Sequence, residues 1–252
     1  MRTLMLGNEA AARGLYEAGC QFVSSYPGTP STEITECAAK YPEIYAEWAP
    51  NEKVAMEAAF GASLAGQRSF CGMKHVGLNV AADPLFTLSY TGVNAGMVIG
   101  VADDAGMHSS QNEQDSRHYA AAAKLPMLEP ADAAESLAFA KLAYELSEQF
   151  DTPVLLKMCT RIAHSQSVVE TGERVPGPER PYVKDGAKYI ICPATPSAAT
   201  RWWSSGCATS RPGPRRRRST AWSRERITAS ASSRPRRAIN TSKRSAGTAI
   251  PC

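Results

Sequence analysis

No apolar run in this chain approaches the ~20 residues that a membrane-spanning helix needs. The start, Met1-Arg2-Thr3-Leu4-Met5-Leu6-Gly7-Asn8-Glu9, also turns polar too early for the apolar stretch of a secretion signal. A soluble, cytoplasmic protein with no membrane partner is expected. The seven cysteines, at 20, 37, 71, 159, 192, 207 and 252, include no pair at the two-residue spacing of zinc or iron–sulfur ligands. They read as reduced thiols, several of them in the core, so no cluster is expected in this stretch. From residue 201 onward leucine, valine, phenylalanine and tyrosine are missing altogether. A composition of 43% hydrophobic and 21% charged residues in 252 excludes collagen-like, disulfide-scaffold and wholly disordered classes.

What is present divides in two. Residues 1–200 carry 15 lysines and arginines against 23 acidic residues, whereas residues 201–252 carry 13 against one. The first part alternates short apolar runs with helix-like stretches, the pattern of an α/β protein with a mostly parallel sheet flanked by helices. Strands are expected at 3–6, 21–25, 44–48, 69–74, 96–101 and 153–158, with helices near 9–18, 31–40, 51–65, 77–90 and 131–149. In the last helix Phe139, Leu142, Leu146 and Phe150 recur at spacings of three and four and predict its buried stripe. Asp132 is expected in its first turn, where the helix dipole favours an anion. The domain is expected over 1–165, a linker rich in proline and glycine over 166–187, and the beginning of a second domain over 188–200.

The segment 201–252 cannot build a core, and a disordered Arg/Ser-rich tail is expected. The run Pro214-Arg215-Arg216-Arg217-Arg218 is compatible with nucleic-acid binding through phosphates, with a solvated tail, or with a reading-frame error. Codons for Arg226–Ser233 can be chosen so that the frame one nucleotide earlier reads Asp-Tyr-Gly-Ile-Gly-Val-Ile. The same shift turns Arg201–Gly206 into Val-Val-Glu-Gln-Arg and Ile239–Arg244 into His-Gln-Tyr-Val-Lys-Glu. One direction of shift restores protein-like sequence three times, which favours a chain frameshifted and truncated after about residue 195 and makes nucleic acid the weaker reading.

Four strand-to-helix junctions concentrate polar residues. In Ser25-Tyr26-Pro27-Gly28-Thr29-Pro30-Ser31-Thr32-Glu33, Pro-Gly makes a turn and Ser31 or Thr32 caps a helix, with Glu33 on its dipole. The functional alternative offers the Thr29 hydroxyl to a ligand at a strand's carboxyl end, but from pattern alone capping is the stronger reading. Asn51-Glu52 likewise reads as a capped helix start, and a single carboxylate is weak evidence of catalysis. Lys74 and His75 end a buried strand at the same edge. The long polar segment from Val101 to His118, with His108, Ser109, Gln111 and Asn112, suits a lining for a polar substrate. It contains neither a glycine-rich phosphate cradle nor a metal triad, so metal ligands are expected to be none.

Taken in order, these junctions resemble the N-terminal part of the thiamine-diphosphate-dependent 2-oxoacid:ferredoxin oxidoreductases, and within them the large (alpha) subunit of the indolepyruvate branch. The resemblance rests on Gly7-Asn8-Glu9-Ala10, Tyr26-Pro27-Gly28-Thr29-Pro30, Asn51-Glu52-Lys53-Val54-Ala55, Lys74-His75-Val76-Gly77-Leu78-Asn79, the stretch His108–Arg117 and Thr160-Arg161-Ile162-Ala163-His164-Ser165. It covers about residues 1–193. It implies a pyrimidine-binding domain in which Glu52 is the catalytic carboxylate on the cofactor's aminopyrimidine ring. Such a group favours the imino tautomer, whose nitrogen can take the thiazolium proton. Thr29 would lie by cofactor or substrate, and Lys74, His75, His108, Ser109, Gln111 and Asn112 would line the substrate pocket. The implied reaction is oxidative decarboxylation of an aryl 2-oxoacid to an acyl-coenzyme A, with electrons passing through 4Fe-4S clusters to ferredoxin and a beta subunit as partner.

Departures from the family pattern matter. In the pyruvate branch an Arg just after the equivalent of Val98–Val101 pairs with the substrate carboxylate; here Ala102-Asp103-Asp104 follow, which argues against pyruvate and leaves Lys74 as a substitute. The Gly-Asp-Gly…Asn motif that holds Mg2+ and diphosphate is absent, Lys184-Asp185-Gly186 does not replace it, and the cysteine-rich cluster segments are absent too. This polypeptide alone is therefore expected to bind thiamine diphosphate weakly and to have no turnover. The alternatives are the same chemistry on another 2-oxoacid, and a noncatalytic protein binding nucleic acid through the tail.

Overall fold

The structure is a computed structural model that describes residues 1–178 and 180–191; the tail, and every expectation about it, lies outside the described residues. Along the chain run β1 (Arg2–Leu6), α1 (Gly7–Glu17), β2 (Phe22–Ser25), α2 (Thr32–Ala38), β3 (Tyr45–Trp48), α3 (Glu52–Leu64), β4 (Ser69–Lys74), α4 (His75–Val80) and α5 (Ala82–Thr91). They are followed by β5 (Met97–Asp103), α6 (Arg117–Ala123), β6 (Met127–Leu128), α7 (Ala133–Phe150), β7 (Val154–Cys159), α8 (Thr160–Ala163), β8 (Gln166–Glu170) and α9 (Gly186–Tyr189). A six-stranded sheet has the order β3-β2-β4-β5-β7-β6, and each neighbouring pair is parallel.

Helices cover both faces, so the central strands read as unbroken apolar runs; every residue of β5 is buried. Alternate side chains serve opposite layers. Phe70, Val98, Leu156 and Met158 pack with Leu15, Ile34 and Tyr144 of α1, α2 and α7. Cys71, Met73, Ile99 and Val101 pack with Met56, Leu78, Leu85 and Ala120 of α3 to α6. Cys20 is fully buried, and burial pushes its thiol up to about 11, so it sits in the core as a neutral group.

Four expectations need correction. The helix expected at 77–90 is two, α4 and α5, meeting at Ala81. Pro84 lacks an N–H and disfavours the helical conformation before it, so it fits only in the first turn of a new helix. The expected stripe of α7 is not its buried seam: Phe150 is 52% exposed and Phe139, Leu142 and Leu146 are half-buried, whereas Leu137 and Tyr144 are buried together with the small residues Ala133, Ser136, Ala140, Ala143 and Ser147. Hydrophobicity marks the large residues, but a helix wedged between α1 and the sheet needs small ones where the backbones approach. Asp132 is the N-cap of α7 rather than a first-turn residue, accepting from the Glu135 N–H at 2.8 Å.

The fourth correction concerns β1, which does not join the large sheet. It pairs antiparallel with β8, Leu4 opposite Val168, and this ribbon packs Met5 and Val169 against Ala10, Ala133 and Leu137. Part of the stretch expected as linker is thus built into the fold. Beyond β8 the chain crosses the amino-terminal edge of the large sheet. There the Val175 N–H donates to Glu17 O at 2.8 Å, and Arg174 donates to Tyr16 O and Cys20 O at 2.9 Å. Backbone pairing of this kind involves residues more than 150 positions apart, which local pattern cannot reveal.

Candidate cofactor and substrate site

Because the six strands are parallel, the ends of β2, β3, β4, β5 and β7 emerge along one edge. Chain order reverses between β2 and β4, since β3 lies outside β2 while β4 and β5 step the other way. Open α/β sheets bind ligands in the crevice at such a reversal. Thr29, Glu52, Lys74, His75 and the loop 104–116 all lie at this edge.

Glu52 opens α3. Asn51 caps the helix, its Oδ1 accepting from the Val54 N–H at 2.9 Å, so Glu52 is spared that task. Its side chain instead lies against the bare α-carbon of Gly77, where a Cβ would stand 2.5 Å from Glu52 Oε1 and 2.6 Å from its Cγ. The carboxylate is half-buried and, among the described residues, accepts no hydrogen bond from a protein donor. Cys71 lies close below: burial, with the charge of Glu52 adding to it, holds that thiol neutral.

The β2–α2 turn differs from its expected form. Ser31 occupies the N-cap position of α2 without capping it. Its hydroxyl donates to Gly28 O at 2.7 Å, and the Gly28 N–H donates to Thr32 Oγ1 at 2.9 Å, so both hydroxyls brace the turn rather than the helix. Thr29 is left exposed at the tip. Glu33 does more than sit on a dipole: it accepts from Asn8 Nδ2 at 3.1 Å and lies 3.6 Å from His164 Nε2.

Lys74 and His75 hold the loop 104–116 through its backbone. Lys74 Nζ donates to Ser109 O at 2.5 Å, and His75 Nε2 lies 3.1 Å from Asn112 O. A carbonyl can only accept, so Nε2 is a donor here, and the other ring nitrogen is Nδ1. That Nδ1 is buried with no partner among the described residues, in a side chain 1% exposed. The side chains of His108, Ser109, Gln111 and Asn112 stand in solvent, so the loop faces Lys74 and His75 with carbonyls rather than with the groups its sequence advertises.

Sequence reasoning missed the residues that shape this loop. Asp104, buried at the end of β5, accepts from the Ser109 N–H at 2.7 Å, from the Ser110 hydroxyl and from Thr160 Oγ1 at 2.8 Å. Burial pushes its carboxyl up, but these donors outweigh it and hold it well below the usual carboxylate range. Asp103 accepts from the N–H and the hydroxyl of Ser116, with Lys157 at 3.5 Å. Asn8 was singled out only as part of the Gly7–Ala10 motif, without a role: its Nδ2 donates to Pro30 O at 2.8 Å while its Oδ1 is buried and unpartnered among the described residues. For Asp103 and Asp104 the available signal was position, polar residues at the end of a buried strand.

A pH dependence follows. The Arg117 guanidinium, with Lys157 behind it, holds the Glu129 carboxyl down at about 2. Asp104 and Glu129 both titrate lower in the folded chain than in the unfolded one. The stability they contribute is present above about pH 4 and is lost as pH falls toward their folded values. The thermal midpoint by circular dichroism should drop between about pH 5 and pH 2, and Glu129→Gln should flatten that slope. Asp104→Ala, stranding three donors, should cost about 2 kcal/mol at neutral pH.

Among the described residues no group of three His, Cys, Asp or Glu side chains is placed to hold a metal ion. Asp185 of Lys184-Asp185-Gly186 caps the one-turn helix α9. A hollow of about 360 Å³ lined by Gln21, Gly66, Gly177 and Arg180 opens at the opposite edge of the sheet and contains none of the site residues. Among the described residues no helix is long and apolar enough to cross a membrane.

A parallel sheet with a capped, acidic helix start at its switch point defines an α/β domain built to hold a ligand at one edge. Residues 13–201 match the family described as "Pyruvate flavodoxin/ferredoxin oxidoreductase, thiamine diP-bdg", and the chain belongs to that family. It is 50% identical over 198 residues to the indolepyruvate oxidoreductase subunit IorA of Methanothermobacter thermautotrophicus, covering 77% of this chain and 32% of that subunit. Against the same subunit of Pyrococcus abyssi the identity is 43% over 210 residues, 80% of this chain and 32% of the relative. The 2-oxoglutarate synthase subunit KorA of Archaeoglobus fulgidus is 26% identical over 179 residues, 66% of this chain and 51% of the relative. The solved 2-oxoglutarate:ferredoxin oxidoreductase from Magnetococcus marinus, with 2-oxoglutarate, coenzyme A and succinyl-CoA bound, shares the fold with a TM-score of 0.60 at 21% identity, covering 68% of this chain and 32% of that one. The chain spans about a third of the length of the indolepyruvate relatives it matches.

Proposed function

We propose that residues 1–165 form the pyrimidine-binding domain of the alpha subunit of an indolepyruvate:ferredoxin oxidoreductase. The observation that carries this reading is the Glu52 carboxylate, half-buried, without a protein donor among the described residues and laid against Gly77 at the switch point. A thiamine aminopyrimidine fits that arrangement, because its ring nitrogen needs a carboxyl partner at an apolar wall. When bound, the cofactor supplies a carbon nucleophile for the keto group of a 2-oxoacid. The part of this chain is to hold and move a proton: Glu52 bonds the ring nitrogen and stabilises the tautomer that can accept one. Thr29, Lys74, His75 and the 104–116 loop face the substrate.

The described residues do not fit the other cofactor groups. With no candidate metal set among them, Mg2+, the diphosphate anchor and 4Fe-4S clusters belong to the rest of the subunit. A beta subunit, ferredoxin and coenzyme A complete the reaction, in the cytoplasm. Beyond β8, which is paired onto β1, the rest of 166–187 leads to a second domain that begins at 188–200, and 201–252 is an out-of-frame product. The composition break at 201 coincides with the end of the family match, which supports this. The nucleic-acid reading draws no support from the relatives, which are oxidoreductase subunits.

Resequencing the coding DNA from codon 185 past the stop codon tests the proposal. A neighbouring frame should continue into Gly-Asp-Gly and cysteine-cluster motifs. The rejoined subunit, assembled with its partner, should reduce ferredoxin with indolepyruvate, whereas the 252-residue chain should not. Neighbouring frames that close without those motifs would refute the electron-transfer reading of this gene.

A further inference from the structure

We propose that Asn8 is a positioning residue of this site: its buried amide holds the turn that presents Thr29 and so fixes where that hydroxyl meets a ligand. The inference rests on the function proposed above and gives the β1–α1 junction a part in it. Asn8 is the second residue of α1 and is 1% exposed. Its helix is not placed by the large sheet, because β1 pairs with β8 instead. The start of α1 is wedged against α8: the Gly7 N–H donates to Ser165 O at 3.1 Å, and a Cβ on Gly7 would stand 2.1 Å from Ile162 O.

From that fixed point Asn8 reaches across to the next junction. Its Nδ2 donates to Pro30 O at 2.8 Å and to Glu33 Oε2 at 3.1 Å, so both amide hydrogens are used. Glu33 in turn lies 3.6 Å from His164 Nε2, at the end of α8. Three junctions, β1–α1, β2–α2 and β7–α8, are thereby tied together around one side chain. The bonds within the turn act differently. Ser31 donates to Gly28 O through its N–H at 2.8 Å and its hydroxyl at 2.7 Å, and the Gly28 N–H donates to Thr32 Oγ1 at 2.9 Å. Those bonds close the turn on itself, whereas the bond from Asn8 to the buried Pro30 fixes it to α1, one residue from the exposed Thr29.

The partners call for an amide. A carbonyl and a carboxylate both need donors, and one NH2 group has a hydrogen for each. Aspartate would bring a second carboxylate against Glu33, and leucine, of similar shape, would leave Pro30 O without its donor. The arrangement has a cost, because Asn8 Oδ1 is buried with no partner among the described residues. An unpaired buried acceptor is destabilising, and an apolar side chain would serve packing without it. The feature that offsets the cost is the pair of donors, and local rules are broken in this way where a site must be held. A reacting group displaced by about 1 Å can lose a hundredfold in rate, which is the scale on which such a tie acts.

The test has two readouts. In the 252-residue chain, Asn8→Leu should speed hydrogen exchange of the Ser31 amide about tenfold or more, while amides of α3 and β4 keep their rates. In the rejoined subunit with its partner, Asn8→Leu should lower kcat/KM for indole-3-pyruvate about tenfold or more, but at most about twofold when Thr29 is already alanine. A loss of general stability would act alike in both backgrounds. Glu33→Ala, at a half-buried position, removes one acceptor of Asn8 and should give the same pattern at about threefold, which decides the matter should Asn8→Leu fail to fold. Unchanged exchange at Ser31, or equal losses with and without the Thr29 hydroxyl, would overturn the assignment. A rejoined subunit inactive on indole-3-pyruvate refutes the function proposed above instead, and exchange at Ser31 then decides by itself whether Asn8 holds the turn.

Discussion

Glu52→Gln, placed in the rejoined full-length subunit with its partner, is expected to abolish indolepyruvate-dependent ferredoxin reduction while leaving the fold intact. The argument is geometric before it is chemical. Glutamine matches glutamate in length and shape, so it can lie against Gly77 as Glu52 does, and Asn51 still caps α3. No intramolecular hydrogen bond is lost, because among the described residues the carboxylate accepts none from a protein donor. The thermal midpoint and the far-ultraviolet spectrum should therefore stay as they are. What disappears is a group able to carry a proton to and from a ring nitrogen. Positioned acid–base groups contribute about a hundredfold to ten-thousandfold, so kcat should fall by at least about a hundredfold. Turnover close to that of the unmodified subunit would remove Glu52 from the chemistry.

The second large effect is structural and can be measured on this chain. Gly14 faces α7 from the middle of α1. A Cβ there would stand 2.5 Å from Leu137 O and 2.8 Å from the Ala140 side chain, so the two helices touch backbone to backbone. Gly14→Leu must push α1 away from α7. Leucine is the better helix former by about 0.8 kcal/mol, but that gain does not offset forced repacking of a filled interior. A net loss of about 3 kcal/mol is expected, a fall in midpoint of about 6–12 °C for a chain of this size. An unchanged midpoint would show that α1 and α7 are not held at this distance. The consequence reaches the site, because α1 carries Asn8, which donates to Pro30 O in the turn that presents Thr29.

Much of the fold was legible because its signals are local. The strands at the core are short apolar runs, and Asn51 marks a helix start through a bond to its own third neighbour. The polar junctions fall at strand ends in the order that defines the family, so the family and the candidate residues Thr29, Glu52, Lys74 and His75 could be named from the sequence. Their type and order along the chain are sufficient for that, since each junction is one short segment whose residues determine its turn.

Only the tertiary structure decided how those residues meet. Glu52 rests on Gly77, 25 positions away; Lys74 holds Ser109, 35 positions away; Asp104 takes a bond from Thr160, 56 positions away. The same holds for β1, which left the parallel sheet for an antiparallel partner more than 160 positions distant. These contacts depend on strand order, register and the distance to which backbones can close. The deciding residues are small or polar ones such as Gly14, Gly77, Asn8 and Asp104, whose local pattern suggests nothing more than a turn or a surface. A one-dimensional pattern records which side of an element is apolar, but which element lies opposite is set by the packing of the whole sheet.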